Sequence, residues 1–150
     1  MDKHARILVV DDDENIRNTM KAILSDEGYC VDTAVDGCEA IRKTREDPYN
    51  VVLLDIRLPD MEGVELLNLI TDGIPRTRKV MVTGYPSMQN AIAALNKKAD
   101  AYLIKPVDVD NLLLTVKNQL KLQEEEREFS EKKVAEFIES RVKELTVDHD

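Results

Sequence analysis

The chain has 150 residues, of which 43% are apolar, and a formal net charge of -9 with a pI near 4.8. A chain of this length can bury one core, so we predict one domain with an appendage rather than two domains. Its acidic balance excludes a general phosphate-backbone binder, which needs a basic face, so no direct contact with nucleic acid is expected.

The composition also argues against three further classes of protein. No apolar run approaches the roughly 20 residues of a membrane span, and the N-terminus lacks the apolar region of a signal peptide, so we expect a cytoplasmic protein with no membrane partner. The only histidines, His4 and His149, lie near the termini, which leaves a hydrolytic triad without a base. Cys30 and Cys38 have no metal-ligand spacing, and we predict that both are mostly buried apolar residues.

Strand and helix patterns alternate along the first two thirds of the chain. Strands are predicted at residues 7–10, 29–35, 51–54, 80–82 and 101–104, from runs rich in apolar and β-branched residues. Helices are predicted between them, from Glu14 to a cap at Gly28, around residues 40–44 and 64–70, and from about Ser87 to Lys98. This alternation with short connections indicates parallel strands with helices on both faces, an open α/β sandwich.

The last section, residues 109–145, contains neither Gly nor Pro and is dominated by good helix formers. It predicts one helix of about 37 residues, roughly 55 Å long, which must project beyond a small domain. A first apolar stripe, expected to pack on the domain, consists of Leu113, Val116 and Leu120. A second stripe lies one residue out of step beyond a charged segment and consists of Ala135, Ile138, Val142 and Leu145. The distal part is therefore predicted to need another partner.

Polar side chains follow four of the five predicted strands. The residues are Asp11, Asp12 and Asp13 after the first strand, Asp55 after the third, Thr83 after the fourth and Lys105 after the fifth. Each is unremarkable alone, because an Asp triplet more often begins a helix and a strand-end Asp usually caps a turn. In open α/β sheets, however, ligands bind outside the carboxyl ends of the strands, where these side chains would meet.

Several carboxylates at one edge repel one another, so they stay ionised only with a cation to hold them. Oxygen ligands without His or Cys suit a hard ion, and Mg²⁺ prefers one or two carboxylates, waters and a phosphate oxygen. We therefore infer a magnesium site. Lys105 adds a point charge for phosphate, and the Thr83 hydroxyl can donate to a phosphoryl oxygen.

Together, Asp11-Asp12, Asp55, Thr83 and Lys105-Pro106, with their separations along the chain, resemble the receiver domain of two-component response regulators, the CheY-like domains. The resemblance covers about residues 5–122. It implies a flavodoxin-like, doubly wound sheet of five parallel strands in the order 2-1-3-4-5, with five helices. We accordingly predict a receiver domain at residues 1–122 and a C-terminal helical extension at residues 123–150.

The resemblance also implies roles for individual residues. Asp55 is implied to be the phosphoacceptor, and Asp11, Asp12 and Asp55 with the backbone carbonyl of Arg57 are implied to hold Mg²⁺. Three further implied features are that Thr83 and Lys105 grip the phosphoryl group, that Tyr102 is the aromatic switch residue, and that the peptide bond before Pro106 is cis.

In receivers, the residues two positions beyond the phosphoacceptor and two beyond the Thr flank the path of the water that removes the phosphoryl group. These residues are Arg57 and Tyr85 here. A long side chain and an aromatic ring crowd that path, so we expect slow self-dephosphorylation.

The implied partner is a sensor histidine kinase or a phosphotransfer protein, whose phosphohistidine donates the phosphoryl group. Such a domain catalyses only its own modification, so a signalling switch rather than an enzyme is expected. Phosphorylation is expected to remodel the face of the fourth predicted helix, the fifth strand and the fifth helix. A homodimer is expected through that face or through the C-terminal helix.

Two other functions on a similar architecture fit less well. A flavin-binding domain needs Ser, Thr and backbone amides after the first strand, where this chain has three Asp. An aspartyl-phosphate phosphatase of the dehalogenase type needs an Asp at the position of Arg57. The output remains open between a stand-alone regulator and the receiver part of a longer protein, in which the terminal helix is a connector. Thr83-Gly84-Tyr85 resembles the corresponding loop of receivers attached to enhancer-binding ATPases.

Overall fold

A computed structural model describes residues 4–84, 87 and 98–148 of the chain. Five parallel strands form one sheet in the order β2-β1-β3-β4-β5. The strands are β1 (Arg6–Val10), β2 (Cys30–Ala34), β3 (Val51–Asp55), β4 (Arg78–Thr83) and β5 (Ala101–Ile104). The predicted doubly wound sheet and its strand order are thereby confirmed. The order reverses between β1 and β3, so the crevice for a ligand lies at their carboxyl ends.

The described residues form four helices. They are α1 (Glu14–Asp26), α2 (Gly37–Glu46), α3 (Gly63–Leu69) and the terminal helix (Val109–Asp148). Gly28, with φ 98°, follows α1 where a cap was predicted, in a conformation that glycine adopts without strain. The fourth predicted helix, from about Ser87 to Lys98, falls mostly on residues 88–97, which lie outside the described part of the chain.

The central strands β1 and β3 are buried on both faces, which explains their continuous Val and Leu runs. Leu8 and Leu54 belong to the apolar core on the side of α2 and α3. Ile7 and Leu53 belong to the core on the side of α1 and the terminal helix. Helices therefore cover both faces of the sheet. The ends of the strands are left for polar side chains, and we call them the amino edge and the carboxyl edge of the sheet.

The proximal part of the terminal helix packs on the domain through Leu112 and Val116 and then through two glutamines. Gln119 and Gln123 are only 6% and 4% exposed. The Gln123 side-chain amide donates to the backbone carbonyls of Asn50 at 3.1 Å and of Arg76 at 2.9 Å. Packing thus continues through residue 123, one residue beyond the predicted end of the domain, because these glutamines satisfy polar groups at the amino edge of the sheet.

Four charged residues at this edge, Arg76, Arg78, Asp100 and Glu126, form what we call the amino-edge charge cluster. Arg76 donates two hydrogen bonds to Asp100, at 2.9 and 3.1 Å. Arg78 contacts Glu126 at 3.1 Å and Asp100 at 3.6 Å. The cluster connects the start of β5 to the terminal helix.

Beyond this cluster the apolar side chains of the terminal helix have no cover within the described structure. Six large apolar side chains there, which include three of the predicted second stripe and which we call the distal stripe, are between 55% and 61% exposed, namely Phe129, Val134, Phe137, Ile138, Val142 and Leu145. No helix in the described residues is both long enough and apolar enough to span a membrane.

The prediction that both cysteines are buried is wrong. Cys30 and Cys38 are exposed. Cys30 begins β2, an edge strand, and Cys38 lies in the first turn of α2, so neither position faces the core.

Candidate functional site at the carboxyl edge of the sheet

Three carboxylates meet at the carboxyl edge of the sheet. Asp11 directly follows β1, and Asp55 is the last residue of β3, the neighbouring strand. One carboxylate oxygen from each of Asp11, Asp12 and Asp55 lies within 4.8 Å of the others. Asp11 is 2% exposed and Asp55 is 8% exposed, whereas Asp12 faces solvent. The group therefore has two buried members and one open side.

Lys105 brings a positive charge into this carboxylate group. Its backbone amide donates to the Thr83 carbonyl at 2.7 Å, which extends the pairing of β4 and β5 by one residue. Its Nζ lies 2.8 Å from Asp11 Oδ2 and 2.9 Å from Asp55 Oδ2. One ammonium group against three carboxylates leaves the site with excess negative charge.

The pKa values of Asp11 and Lys105 reflect this imbalance of charge. Burial raises the pKa of Asp11, and the Asp55 charge adds to the increase, although hydrogen bonds from Lys105 and the Asp13 amide oppose it. Burial lowers the pKa of Lys105, but its hydrogen bonds to Asp11 and Asp55 outweigh burial, so this pKa lies above its ordinary value. Lys105 is therefore held as an ammonium ion between two acids.

Asp13 has a different position from the two aspartates before it. Its side chain accepts hydrogen bonds from the amides of Asn15 at 2.9 Å and Ile16 at 3.3 Å, so it is the N-cap of α1. Its own amide donates to Asp11 Oδ1 at 2.9 Å. The helix-start interpretation of the Asp triplet thus applies to its third member, which also orients the first.

The remaining predicted residues lie at different depths. Thr83 is fully buried at the end of β4, next to the strand that ends in Asp55. Tyr102 is half-buried on β5 and packs against the core on the α2 and α3 side, and burial raises its pKa. The peptide bond between Lys105 and Pro106 is cis.

Arg57 is exposed, and its amide donates to Asp55 Oδ1 at 3.3 Å. Tyr85 lies outside the described residues.

The structure adds two residues next to the site that the sequence pattern did not single out. Asp60 accepts hydrogen bonds from the amides of Gly37 and Cys38, both at 2.9 Å. Gly63 begins α3 against the end of β3, and a Cβ there would overlap the backbone carbonyl of Asp55. The Pro-Asp turn followed by Gly was visible in the sequence, but its partners on α2 were not.

The donor set fits Mg²⁺. Its three carboxylates are hard oxygen ligands, and the described residues contribute neither His nor Cys to the group. The solvent-facing Asp12 leaves one side of the group for water or a phosphate oxygen, which Mg²⁺ prefers to a closed protein cage. Asp11, Asp12 and Asp55 are the residues that would hold the ion.

The sequence matches the family model described as the response regulator receiver domain over residues 7–117. The transcriptional regulatory protein ZraR of Klebsiella oxytoca is 41% identical over 114 residues, which cover 76% of this chain and 26% of that protein. The regulatory protein AtoC of Escherichia coli is 35% identical, over 82% of this chain and 27% of that protein. The chain thus spans about a quarter of the length of these curated relatives.

Solved structures give the same likeness. A CheY-like response regulator receiver domain protein of Methanospirillum hungatei has a TM-score of 0.75 and 46% identity, covering 82% of this chain and 98% of that one. NtrX of Brucella abortus has a TM-score of 0.77 and 34% identity, covering 85% of this chain and 29% of that one.

Proposed function

The chain belongs to the response regulator receiver family of two-component systems, and we propose that it is a signalling switch phosphorylated on Asp55. The donor is the phosphohistidine of a sensor histidine kinase or a phosphotransfer protein. The observation that carries the proposal is the position of Lys105 Nζ, 2.9 Å from Asp55 and 2.8 Å from Asp11, beside three clustered carboxylates. This arrangement presents a nucleophilic oxygen beside a cation and an acidic metal site.

In the proposed reaction an Asp55 carboxylate oxygen attacks the phosphorus atom, and the phosphorus–nitrogen bond to the donor imidazole breaks. Lys105 offsets negative charge on the carboxylate and on the transferred group. The Thr83 hydroxyl would donate to a phosphoryl oxygen once it turns toward the site. Receiver domains bind Mg²⁺ at an acidic pocket; here Asp11, Asp12, Asp55 and the Arg57 carbonyl would hold the ion, which would supply further charge neutralisation.

The output step is a rearrangement beside β5. Phosphorylation adds a group of about -2 charge at Asp55, which draws the Thr83 hydroxyl toward it. Tyr102, half-buried on the neighbouring strand, turns into the vacated space and remodels the surface around β5 and the terminal helix. A partner or an output domain then binds this remodelled surface.

The proposal is tested by loading the protein with a small phosphodonor, or with beryllofluoride, with and without Mg²⁺. We expect modification of the parent protein only with Mg²⁺, and none in Asp55→Asn. Asp13→Asn is the matched control, because it makes the same acid-to-amide change two residues from Asp11, and Asn caps a helix as well as Asp does. Mass spectrometry that finds Asp55→Asn modified like the parent would place the acceptor elsewhere.

We also propose that the phosphoryl group is long-lived, because the sequence has a long Arg57 and an aromatic Tyr85 at the two positions that flank the path of the attacking water in receivers. The comparison is an Arg57→Asn, Tyr85→Glu double variant, whose side chains orient water. We expect it to lose its phosphoryl group faster than the parent. Equal lifetimes in a phosphate-release assay would refute the crowding explanation.

The exposed distal stripe of the terminal helix supports a homodimer, in which a second copy of the chain covers the stripe. A dimer through the surface around β5 is the other proposed arrangement. Exposed side chains of this size forfeit about 1.5 to 3 kcal/mol each relative to burial. We expect Ile138→Glu to lower the mass measured by sedimentation, whereas Ser140→Glu, which adds the same charge outside the stripe, leaves it unchanged. A monomeric parent protein would sink this proposal and favour the alternative, in which the helix is a connector to an output domain.

A further inference from the structure

We infer that Asp60 is a positioning residue for the metal site, because it connects the turn that carries Arg57 to the N-terminus of α2. The inference rests on the proposed function and goes beyond it, since Asp60 touches neither the carboxylate group nor Lys105 in the contacts described above. It acts through the backbone of residues 57–62, which we call the acceptor turn.

The acceptor turn is a compact unit closed by backbone contacts at its base. Arg57 and Glu62 form an antiparallel bridge that consists of two backbone hydrogen bonds. The Leu58 amide donates to the Met61 carbonyl at 3.1 Å, and the Gly63 amide donates to the Ile56 carbonyl at 2.7 Å. Its near end contacts the site directly, because the Arg57 amide donates to Asp55 Oδ1 at 3.3 Å. A displacement of the tip is therefore transmitted to Arg57.

Asp60 lies at the tip of the turn, and both of its carboxylate oxygens bind α2. Oδ1 accepts from the Gly37 amide and Oδ2 from the Cys38 amide, each at 2.9 Å. These amides belong to the first turn of a helix, where no intrahelical carbonyl is available to them and the helix dipole favours a negative charge. The hydrogen bonds hold the pKa of Asp60 below its ordinary value, so it is ionised at neutral pH.

An apolar contact accompanies these hydrogen bonds. A Cβ at Gly37 would overlap the Met61 side chain, so Met61 packs directly against the first turn of α2. Leu58 and Met61 also pack against the core on the α2 and α3 side. Asp60 is therefore the polar half of a contact that holds the turn in one position relative to α2.

This restraint matters because of what Mg²⁺ demands. The ion takes ligands in near-ideal octahedral geometry at about 2.0–2.1 Å, and the Arg57 carbonyl is the one proposed ligand that comes from the turn rather than from a strand end. Without Asp60, the tip of the turn loses both hydrogen bonds to α2, and the Arg57 carbonyl loses its fixed position. Mutation of a group that orients a metal ligand in this way typically lowers metal affinity about 10- to 100-fold.

Asp36 provides a matched control. It is the N-cap of α2 and accepts a hydrogen bond from the Glu39 amide at 2.8 Å. Asp36→Ala thus removes an acidic cap from the same helix but leaves the acceptor turn unchanged. Asp60→Ala removes a second acidic cap and frees the turn as well, so only the effect on the turn distinguishes the two variants.

The experiment is a calorimetric titration of each full-length variant with Mg²⁺, alongside thermal melts that check folding. We expect both variants to melt slightly lower than the parent, and Asp60→Ala alone to bind Mg²⁺ about tenfold more weakly. Asp60→Asn, whose amide group can accept only one of the two hydrogen bonds, should fall between Asp60→Ala and the parent. The same order is expected for the rate of loading by a small phosphodonor.

Equal Mg²⁺ affinities in Asp60→Ala and the parent would overturn the inference while leaving the proposed phosphorylation of Asp55 intact. An equal loss of affinity in Asp36→Ala would overturn it too, because the effect would then come from α2 and not from the turn. A parent protein that binds no Mg²⁺ would refute the proposed metal site itself, and this inference with it.

Discussion

The two edges of the sheet carry similar numbers of charged side chains but differ in the balance of positive and negative charge. At the carboxyl edge, Asp11, Asp12 and Asp55 share the single ammonium group of Lys105. At the amino edge, the cluster that contains Arg78 and Asp100 pairs two arginines with two acids.

This difference separates a group of charges that stabilises the fold from one whose excess negative charge suits it to binding a cation. The amino-edge charge cluster is neutral as a whole, so it holds the terminal helix without needing anything from solution. The carboxyl edge keeps buried acids close together with too little positive charge, which costs stability unless a cation joins them. An excess of buried negative charge thus distinguishes the carboxyl edge, which carries the candidate site, from the amino edge.

The largest effect is expected for Lys105→Met. This change leaves Asp11 and Asp55 buried without their cation, so without Mg²⁺ the free energy of unfolding at pH 7 should fall by about 3 kcal/mol. Mg²⁺ should restore more stability to this variant than to the parent, because the ion replaces the missing charge. Urea unfolding with and without Mg²⁺ measures both quantities, with Lys21→Met, at an exposed position on α1, as the control. Unchanged stability in Lys105→Met would mean that the carboxyl edge is not strained by its charges.

At the amino edge, Arg78→Met should lower the free energy of unfolding by about 2 kcal/mol, because Asp100 and Gln119 each lose a hydrogen-bonded or charged partner. The loss should be the same with and without Mg²⁺, since the proposed metal site lies at the opposite edge. The same urea titrations test this. A loss that Mg²⁺ reduces would show that the two edges are energetically coupled.

A smaller effect is expected from acid. Burial would raise the pKa of Asp100, but hydrogen bonds from Arg76 and the Lys79 amide, with the nearby arginine charges, hold it below its ordinary value. The stability that this carboxylate contributes is therefore fully present above its unfolded pKa of about 3.9, and it is lost as the pH falls through the lower folded value. Thermal melts from neutral pH to about pH 3 should show a steeper acid loss in the parent than in Asp100→Asn. Parallel curves would contradict this role.

The smallest effect is expected for Glu126→Gln. Glu126 is 43% exposed, so solvent screens its contacts with the two arginines. We expect a loss of no more than about 1 kcal/mol in the free energy of unfolding. The loss should shrink further at high salt. A larger, salt-independent loss would show that this contact behaves as a buried ion pair.

Much of the fold and of the carboxyl edge could be predicted, because both depend on local patterns. A run such as residues 51–54 that is rich in Val and apolar throughout is typical of a strand buried on both faces, and parallel strands bring their carboxyl ends to one edge. Asp11, Asp55, Thr83 and Lys105 could therefore be assigned to one place from their positions after strands.

Other features depend on contacts between distant parts of the chain, which local patterns do not encode. The stripe of Leu112 and Val116 continues through Gln119 and Gln123, and a search for apolar residues at helical spacing does not find buried amides. Asp60 reads as an ordinary turn residue until α2 is seen beside it. The cysteines were assigned to the core from residue type, but the exposed positions at the start of β2 and in the first turn of α2 decide their environment.

The contacts of Glu126 with the domain also have a mechanical consequence. Residues 127–148 continue the terminal helix beyond Glu126 for roughly 33 Å at the α-helical rise, while Gln119, Gln123 and Glu126 fix its near end to the domain. A tilt of about 10° at this fixed end would move the far end by about 6 Å. The proposed rearrangement around β5, even if too small to alter the shape of the domain, would in this way be amplified into a displacement comparable to the width of a side chain.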